Sequence, residues 1–302
     1  MIIKSDCYAK IEFSPFFIHL DENPAGMINS YKNSQKTVLI SGAAGGLGSK
    51  LVKIYSEQGF RVIATDIDVD GLSKLSSLAN VLTKTMDITD NKQLSALSKD
   101  LDLEKDGLDI MLCLAGIYAV YPVTEADPEL FGKMLAVNFQ GTASLVSAFL
   151  GPLIRSKGRV IIVSSESYKI QAMFQPYMIS KAALEAWCRV ANQELALKGV
   201  SLTVVRPGAI DTALLKWMRS PLKTEKYPIY SKELKKSWES SIKMVGKIIS
   251  PDKVAVKIFN ISTAKNLKRF YHINNSILLM IISYIPVSLF DRLVIRKFKI
   301  KD

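Results

Sequence analysis

The tightest constraint on the fold is the stretch from Thr37 to Asp66. Thr37 to Ile40 is a short run rich in β-branched residues. Ser41-Gly42-Ala43-Ala44-Gly45-Gly46-Leu47-Gly48 follows, and then Leu47, Leu51, Ile54 and Tyr55 recur at helical spacing on one side. The order is strand, glycine-rich turn, helix. A second apolar run, Val62 to Thr65, ends in Asp66, 24 residues after Gly42 and 18 after Gly48. A βαβ unit with these lengths brings an acidic side chain to the ribose of a dinucleotide whose pyrophosphate rests on the turn. The glycines are there because the pyrophosphate must approach bare backbone at a helix N-terminus, where free N–H groups and the helix dipole favour an anion.

Asp66 would accept hydrogen bonds from the ribose hydroxyls and repel a 2′-phosphate, and Ala43 to Gly45 contains no Arg or Lys. NAD(H), rather than NADP(H), is the cofactor these residues suit. After Asp66 the alternation continues. Val81 to Thr85, Leu108 to Leu114, Arg159 to Val163 and Leu202 to Val205 read as strands. Asn91 to Leu101, Leu130 to Asn138, Thr142 to Leu153 and Pro176 to Leu197 read as helices. Nearly continuous apolar strands alternating with helices require a parallel sheet covered on both faces. The expected fold class is therefore α/β, a Rossmann-like doubly wound parallel sheet. It forms a single domain over residues 37–275, with an N-terminal extension (1–36), a substrate-binding lid (213–250) and an apolar, basic C-terminal tail (276–302).

Composition narrows the function. A chain of 302 residues that is 48% hydrophobic has material for a large core. The three cysteines, Cys7, Cys113 and Cys188, are far apart, and neither histidine, His19 or His272, lies near a motif. No metal site and no histidine-based triad is expected, and free thiols suit a reducing, cytoplasmic setting. Residues 1–36 mix apolar patches with charges and lack the apolar run of a secretion signal. The net charge of +12 is concentrated at one end: from Ala213 onward there are 19 Lys and Arg against 6 Asp and Glu. No aromatic-interleaved basic motif points to nucleic acid.

Tyr177 and Lys181 stand one helical turn apart in SSESYKIQAMFQPYMISKAALEAW. A phenol with a reference pKa of about 10 is a poor base at neutral pH, and a neighbouring ammonium is expected to lower that value. Such a pair passes a proton to or from a substrate oxygen.

With these motifs in place the chain resembles the short-chain dehydrogenase/reductase family, and in particular its NAD-dependent retinol- and hydroxysteroid-type branch. Ser41 to Gly48 is similar to its TGxxxGxG turn with Ser for Thr, Asp66 to its NAD-selecting acid, and Asp87 to the acid that contacts adenine. Asn138 matches the family's helix asparagine, Tyr177 and Lys181 its YxxxK, and Pro207-Gly208-Ala209-Ile210-Asp211-Thr212 its PGxxxT. The resemblance implies hydride transfer between nicotinamide and a carbonyl or alcohol carbon. Ser165, preferred over Ser164, would hydrogen-bond the substrate oxygen, Tyr177 would move the proton, Lys181 would support the phenolate and hold ribose hydroxyls, and Asn138 would hold a water. The cofactor would meet Ser41, Gly42, Gly46, Leu47, Gly48, Asp66, Asp87, Ala115, Gly116, Tyr177, Lys181, Pro207, Gly208, Ile210 and Thr212. The resemblance further implies a homodimer or homotetramer formed through the helices near 142–153 and 177–197.

One departure stands out: Cys113-Leu114-Ala115-Gly116 occupies the place of the family's Asn-Asn-Ala-Gly. Loss of asparagines that brace the sheet motivates an alternative reading as a catalytically weak dinucleotide-binding redox sensor or scaffold. The lid offers Leu214, Leu215, Trp217, Met218, Tyr227, Ile229 and Tyr230, either as a pocket for a steroid, retinoid or long-chain alcohol or ketone, or as packing for the lid itself. In the tail, Leu289, Phe290, Leu293, Val294 and Phe298 share a helix face among basic residues. That face either packs beside the substrate entrance or makes peripheral contact with an anionic membrane, and Ile277 to Phe290 is too short to cross one.

Overall fold

The computed structural model describes residues 35–101, 103, 107–170 and 172–299. Of the N-terminal extension read over residues 1–36, residues 1–34 lie outside the described residues. Seven parallel strands form one sheet: β1 (Thr37–Ser41), β2 (Arg61–Asp66), β3 (Val81–Thr85), β4 (Ile110–Cys113), β5 (Arg159–Val163), β6 (Ser201–Pro207) and β7 (Phe270–Ile273), in the order β3-β2-β1-β4-β5-β6-β7. The order reverses between β1 and β4, which opens a crevice at their carboxyl ends.

Side chains alternate across the sheet as the pleat dictates. Val38, Ile40, Val62, Ala64, Ile110, Leu112 and Ile161 face one core. Leu39, Ile63, Met111, Val160 and Ile162 face the other. On the first face α1 (Gly48–Glu57) packs beside α10 (Pro251–Thr263), where the Tyr55 ring meets Phe60 and Phe259 edge-on at 5.0 Å and its hydroxyl pairs with Ser262. Short α2 (Val69–Ser73), capped by Asp68, leads to the half-exposed edge strand β3. The other face carries α3 (Asn91–Asp100), α4 (Pro128–Leu135), a π-helical turn over Ala136–Gly141, α5 (Thr142–Ala148), α6 (Leu150–Arg155) and α7 (Pro176–Ala196).

The sequence suggests one helix from Thr142 to Leu153, but the chain breaks at Phe149, with φ −107° and ψ 16°. Pro152 lies three residues on. It has no N–H to bond backward, and its ring would collide with the carbonyl of Ala148 in a continuous helix.

Between β6 and β7 the chain leaves the sheet as a lid built from α8 (Ala213–Arg219) and α9 (Ser231–Lys243). At its neck the outgoing and returning strands pair. Ile210 bridges Ile249, Asp211 N donates to Ile249 O at 3.0 Å, and Ile249 N donates to Ala209 O at 3.1 Å. The lid is also tied to the loop after β4, where the Glu125 carboxylate accepts from the amides of Ile229 and Tyr230 at 2.9 and 3.3 Å. After β7 the tail forms α11 (Ile277–Ile282) and α12 (Val287–Phe298).

Candidate active site

The crevice at the β1/β4 reversal is one cleft of about 1230 Å³. Single small-molecule sites run to about 300–1,000 Å³, so there is room for a dinucleotide and a second molecule. Ser41, Gly42, Gly46, Leu47, Gly48, Asp66, Asp87, Ala115, Gly116, Ser165, Tyr177, Lys181, Pro207, Gly208, Ile210 and Thr212 all line it. Asn138 does not.

The turn after β1 is shaped by close approach. Gly42 has φ +71°, and a Cβ on Gly48 would fall 2.0 Å from the Gly42 carbonyl. Across the cleft a Cβ on Gly46 would sit 3.3 Å from Thr212 Cγ2, so the turn and the segment after β6 form two sides of a narrow cradle. Asp66, at the end of β2, is fixed by Ala44 N on one oxygen (3.0 Å) and Asp68 N on the other (3.1 Å). Asp87 accepts from the Thr89 amide and hydroxyl at 2.8 and 2.7 Å. A glycine cradle with an acid at its far end fits the pyrophosphate and ribose of a nicotinamide dinucleotide.

Ser41 is buried. Its hydroxyl reaches Leu112 O at 3.5 Å and accepts from Leu114 N at 3.3 Å. It thus links β1 to the end of β4 where the family's asparagines are absent, while Cys113 is an apolar core residue. The end of β4 is thus tied to β1 through a serine hydroxyl.

At the other end of the cleft, α7 delivers Tyr177 and Lys181 from its first two turns. Pro at its first position fixes its start. Lys181 Nζ donates to Val163 O at 3.1 Å and lies 5.7 Å from the centre of the Tyr177 ring. Burial pushes Lys181 down to about 8, against the pull of Cys188, Glu185 and Cys113. Burial pushes Tyr177 up to about 12, with the hydroxyl of Ser165 pulling the other way. The sequence argument expected the ammonium to lower the tyrosine. Here burial is the larger cause and the Ser165 hydroxyl the opposing one, so Tyr177 holds its proton at neutral pH.

Ser165 caps a 3-10 turn over Glu166–Lys169. Its oxygen accepts from Ser167 N at 3.2 Å and lies 2.9 Å from Ser167 Oγ. When Ser167 donates, the Ser165 proton is free for a substrate oxygen. Ser164 also lines the cleft, and its buried hydroxyl has no hydrogen-bond partner among the described residues. Such an orphan in a polar pocket end fits a bound polar group.

Asn138 sits in the π-turn, fully buried. Its Oδ1 accepts from Ile117 N at 2.7 Å, and its Nδ2 donates to Ile117 O at 2.9 Å and to Ser180 Oγ at 2.9 Å. Both amide protons are committed, so its side chain locks the loop after β4 to the turn of α7 that carries Lys181.

Several site residues escaped the sequence. Tyr118 packs edge-on against Tyr177 with ring centres 5.1 Å apart, and its hydroxyl donates to Gln175 at 3.1 Å. Glu166, beside Ser165, accepts from Ser276 N at 2.6 Å and so ties the tail to the turn that Ser165 caps. Burial raises its carboxyl above the usual range. Of the lid residues, Leu214, Leu215, Trp217 and Met218 line the cleft. Tyr227 and Tyr230 instead pack with Val120, Phe174 and Leu234, and Ile229 is exposed. The two readings of the lid divide along its length.

Residues 36–223 match the profile of the short chain dehydrogenase family, and the chain belongs to that family. It is accordingly an oxidoreductase of a family that binds a nicotinamide dinucleotide. Over 288 residues it is 31% identical to estradiol 17-beta-dehydrogenase 2 of Mus musculus, covering 87% of this chain and 75% of that protein. It is 33% identical over 184 residues to the NADPH-dependent 1-acyldihydroxyacetone phosphate reductase of Schizosaccharomyces pombe, covering 60% and 62%. The fold is shared with a short-chain dehydrogenase from Streptomyces avermitilis at TM-score 0.72 and 20% identity, over 88% of this chain and 97% of that one. An alcohol dehydrogenase from Thermococcus sibiricus complexed with 5-hydroxy-NADP gives TM-score 0.64 at 20% identity, over 80% and 96%.

Proposed function

We propose that this chain is an NAD-dependent oxidoreductase that interconverts an alcohol and its carbonyl on a lipophilic substrate of steroid, retinoid or long-chain type. The observation that carries the cofactor choice is Asp66. Its carboxylate lines the ribose end of the cleft with Asp68 beside it, and no Lys or Arg occurs in Ala43 to Gly45 or Ile67 to Gly71. A 2′-phosphate there would meet only negative charge. The fission yeast reductase is NADPH-dependent by name and the archaeal structure holds an NADP derivative, so the choice of NAD for this chain rests on Asp66 and not on those relatives. The apolar lining from Leu214, Leu215, Trp217 and Met218, and the likeness to an estradiol dehydrogenase, support the substrate class.

The dinucleotide, when bound, supplies or takes up hydride at its nicotinamide. In the reducing direction Tyr177, protonated because it is buried, gives its proton to the substrate oxygen while Ser165 donates a hydrogen bond to the same atom. The Lys181 ammonium, held on the Val163 carbonyl, balances the phenolate left behind. Oxidation runs the same transfers backward. Residues 37–275 are the catalytic domain, 213–250 its lid and 276–302 its tail. The protein assembles as a homodimer or homotetramer through α5–α6 and α7, where Leu150, Val190 and Leu197 are exposed, and it works in the cytoplasm.

The test is to follow NADH oxidation and NAD reduction by purified protein across steroid, retinoid and long-chain alcohol and ketone panels, with NADP(H) alongside. Turnover faster with NADPH would overturn the cofactor assignment. Turnover confined to sugars would overturn the substrate class.

A further inference from the structure

We infer that the tail is two-sided: its inner side roofs the cleft and its outer side rests on an anionic membrane surface. Leu279 and Ile282 of α11 and Phe290, Val294 and Phe298 of α12 line the cleft; Phe298 is buried and the other four are partly buried. The opposite side is exposed. Ile277 is 71% exposed, Ile281 58%, Tyr284 76% and Val287 75%. Nine of the 23 large apolar side chains exposed among the described residues fall between 277 and 295. Single exposed apolar residues are ordinary, whereas a run of this density marks a surface that something covers.

Charge selects the occupant. Arg292, Arg296 and Lys299 are exposed on and just after α12, and Lys169 Nζ stands 5.4 Å from the Tyr284 ring. Asp291 is the one acidic residue between 277 and 299. A second copy docking through the same face would bring these cations against themselves, because a two-fold interface pairs a patch with itself. Anionic headgroups supply the missing counter-charge, and the acyl boundary takes up the apolar side chains. No helix among the described residues is long and apolar enough to cross a membrane, so the tail lies along the surface. Since Ser276, at the start of α11, is held by Glu166 next to Ser165, the docking face and the reaction cleft share one wall. Passage of substrate from the bilayer through that wall rests on the function proposed above. The docking itself does not.

The experiment is co-sedimentation of the full-length protein, without substrate, with vesicles of phosphatidylcholine alone or mixed with phosphatidylserine, at low and high salt. Two variants accompany it, Ile277→Glu/Ile281→Glu and Arg292→Gln/Arg296→Gln, with thermal midpoint and NADH binding as checks of folding. The wild type is expected to bind the anionic vesicles at low salt and to lose most of that binding at high salt. Each double variant is expected to bind about tenfold or more weakly with its folding unchanged. Should a variant fail to fold, limited proteolysis of the wild type decides, since vesicles are expected to protect the tail. Absence of wild-type binding, equal binding by the variants, an unprotected tail, or variants that alter molecular mass but not vesicle binding would each overturn the proposal. Because no turnover is read, failure here leaves the oxidoreductase assignment standing.

Discussion

Tyr177 shows how little spacing alone says about protonation. Its distance from Lys181 in the sequence was legible, but the direction of its pKa was not, because desolvation depends on the loops that close over the ring. In the function proposed above, the proton it holds is the one the reduction needs. Tyr177→Phe keeps the ring volume and removes that proton, so turnover is expected to fall about 10²- to 10⁴-fold while NADH affinity, read by fluorescence, stays near wild type. Asp66→Ser removes the repulsion at the 2′-position and should narrow the ratio of NAD to NADP efficiency, measured as kcat/KM for each.

Lys181 titrates in the folded state near 8 against an unfolded value of 10.5. Between those values the unfolded chain binds the extra proton, so this residue adds stability as pH rises from about 8, and below 8 the burial of its charge is a standing cost. In Lys181→Met that cost is absent. Denaturant titrations should therefore show the variant's advantage over wild type shrinking between pH 7 and pH 9.5. Whichever protein is ahead at pH 7, the sign of the change is the readout.

Among the elements, the strands and α7 could be read from the sequence because their apolar residues fall at one period without interruption. The lid could not. In α9 the buried Leu234 is flanked by lysines and serines, and its helical partners Trp238 and Ile242 are easily lost in that background. Nor could the buried pair between Arg206 of β6 and Glu185 of α7 be read, since 21 residues separate them. Nε meets Oε1 at 2.9 Å and a terminal nitrogen meets Oε2 at 2.8 Å, while the guanidinium stacks on Tyr168 and Phe270 at 4.3 and 4.0 Å. Arg206→Met leaves a buried carboxylate alone and should cost about 3–5 kcal/mol in denaturant unfolding. Adding Glu185→Leu should recover most of that loss. A double variant as unstable as the single would show that stacking, not charge, holds the two elements together.

For the molecule as a whole, the cofactor half of the cleft was written in motifs, whereas its roof was not, because the tail residues that line it come more than 60 positions after the last motif residue, Thr212. Sequence periodicity identified the apolar face of α12 but could not say what it meets. Phe290→Ala/Val294→Ala trims that roof without touching Ser165, Tyr177 or Lys181. Each lost apolar contact is worth about 1–3 kcal/mol at most. KM for a long or polycyclic substrate should rise about tenfold or more, with kcat/KM for a small ketone nearly unchanged.

The paired neck of the lid, where Ile210 meets Ile249, has an evolutionary side. Everything between those two residues leaves and returns to the body of the domain at one point beyond the end of β6, so insertions and deletions there need not disturb the strand order or the glycine turn. Selection can then rewrite what the enzyme grips while the hydride machinery is inherited intact. A graft that swaps residues 213–248 for the lid of a distant relative would carry substrate preference with it and leave dinucleotide preference behind.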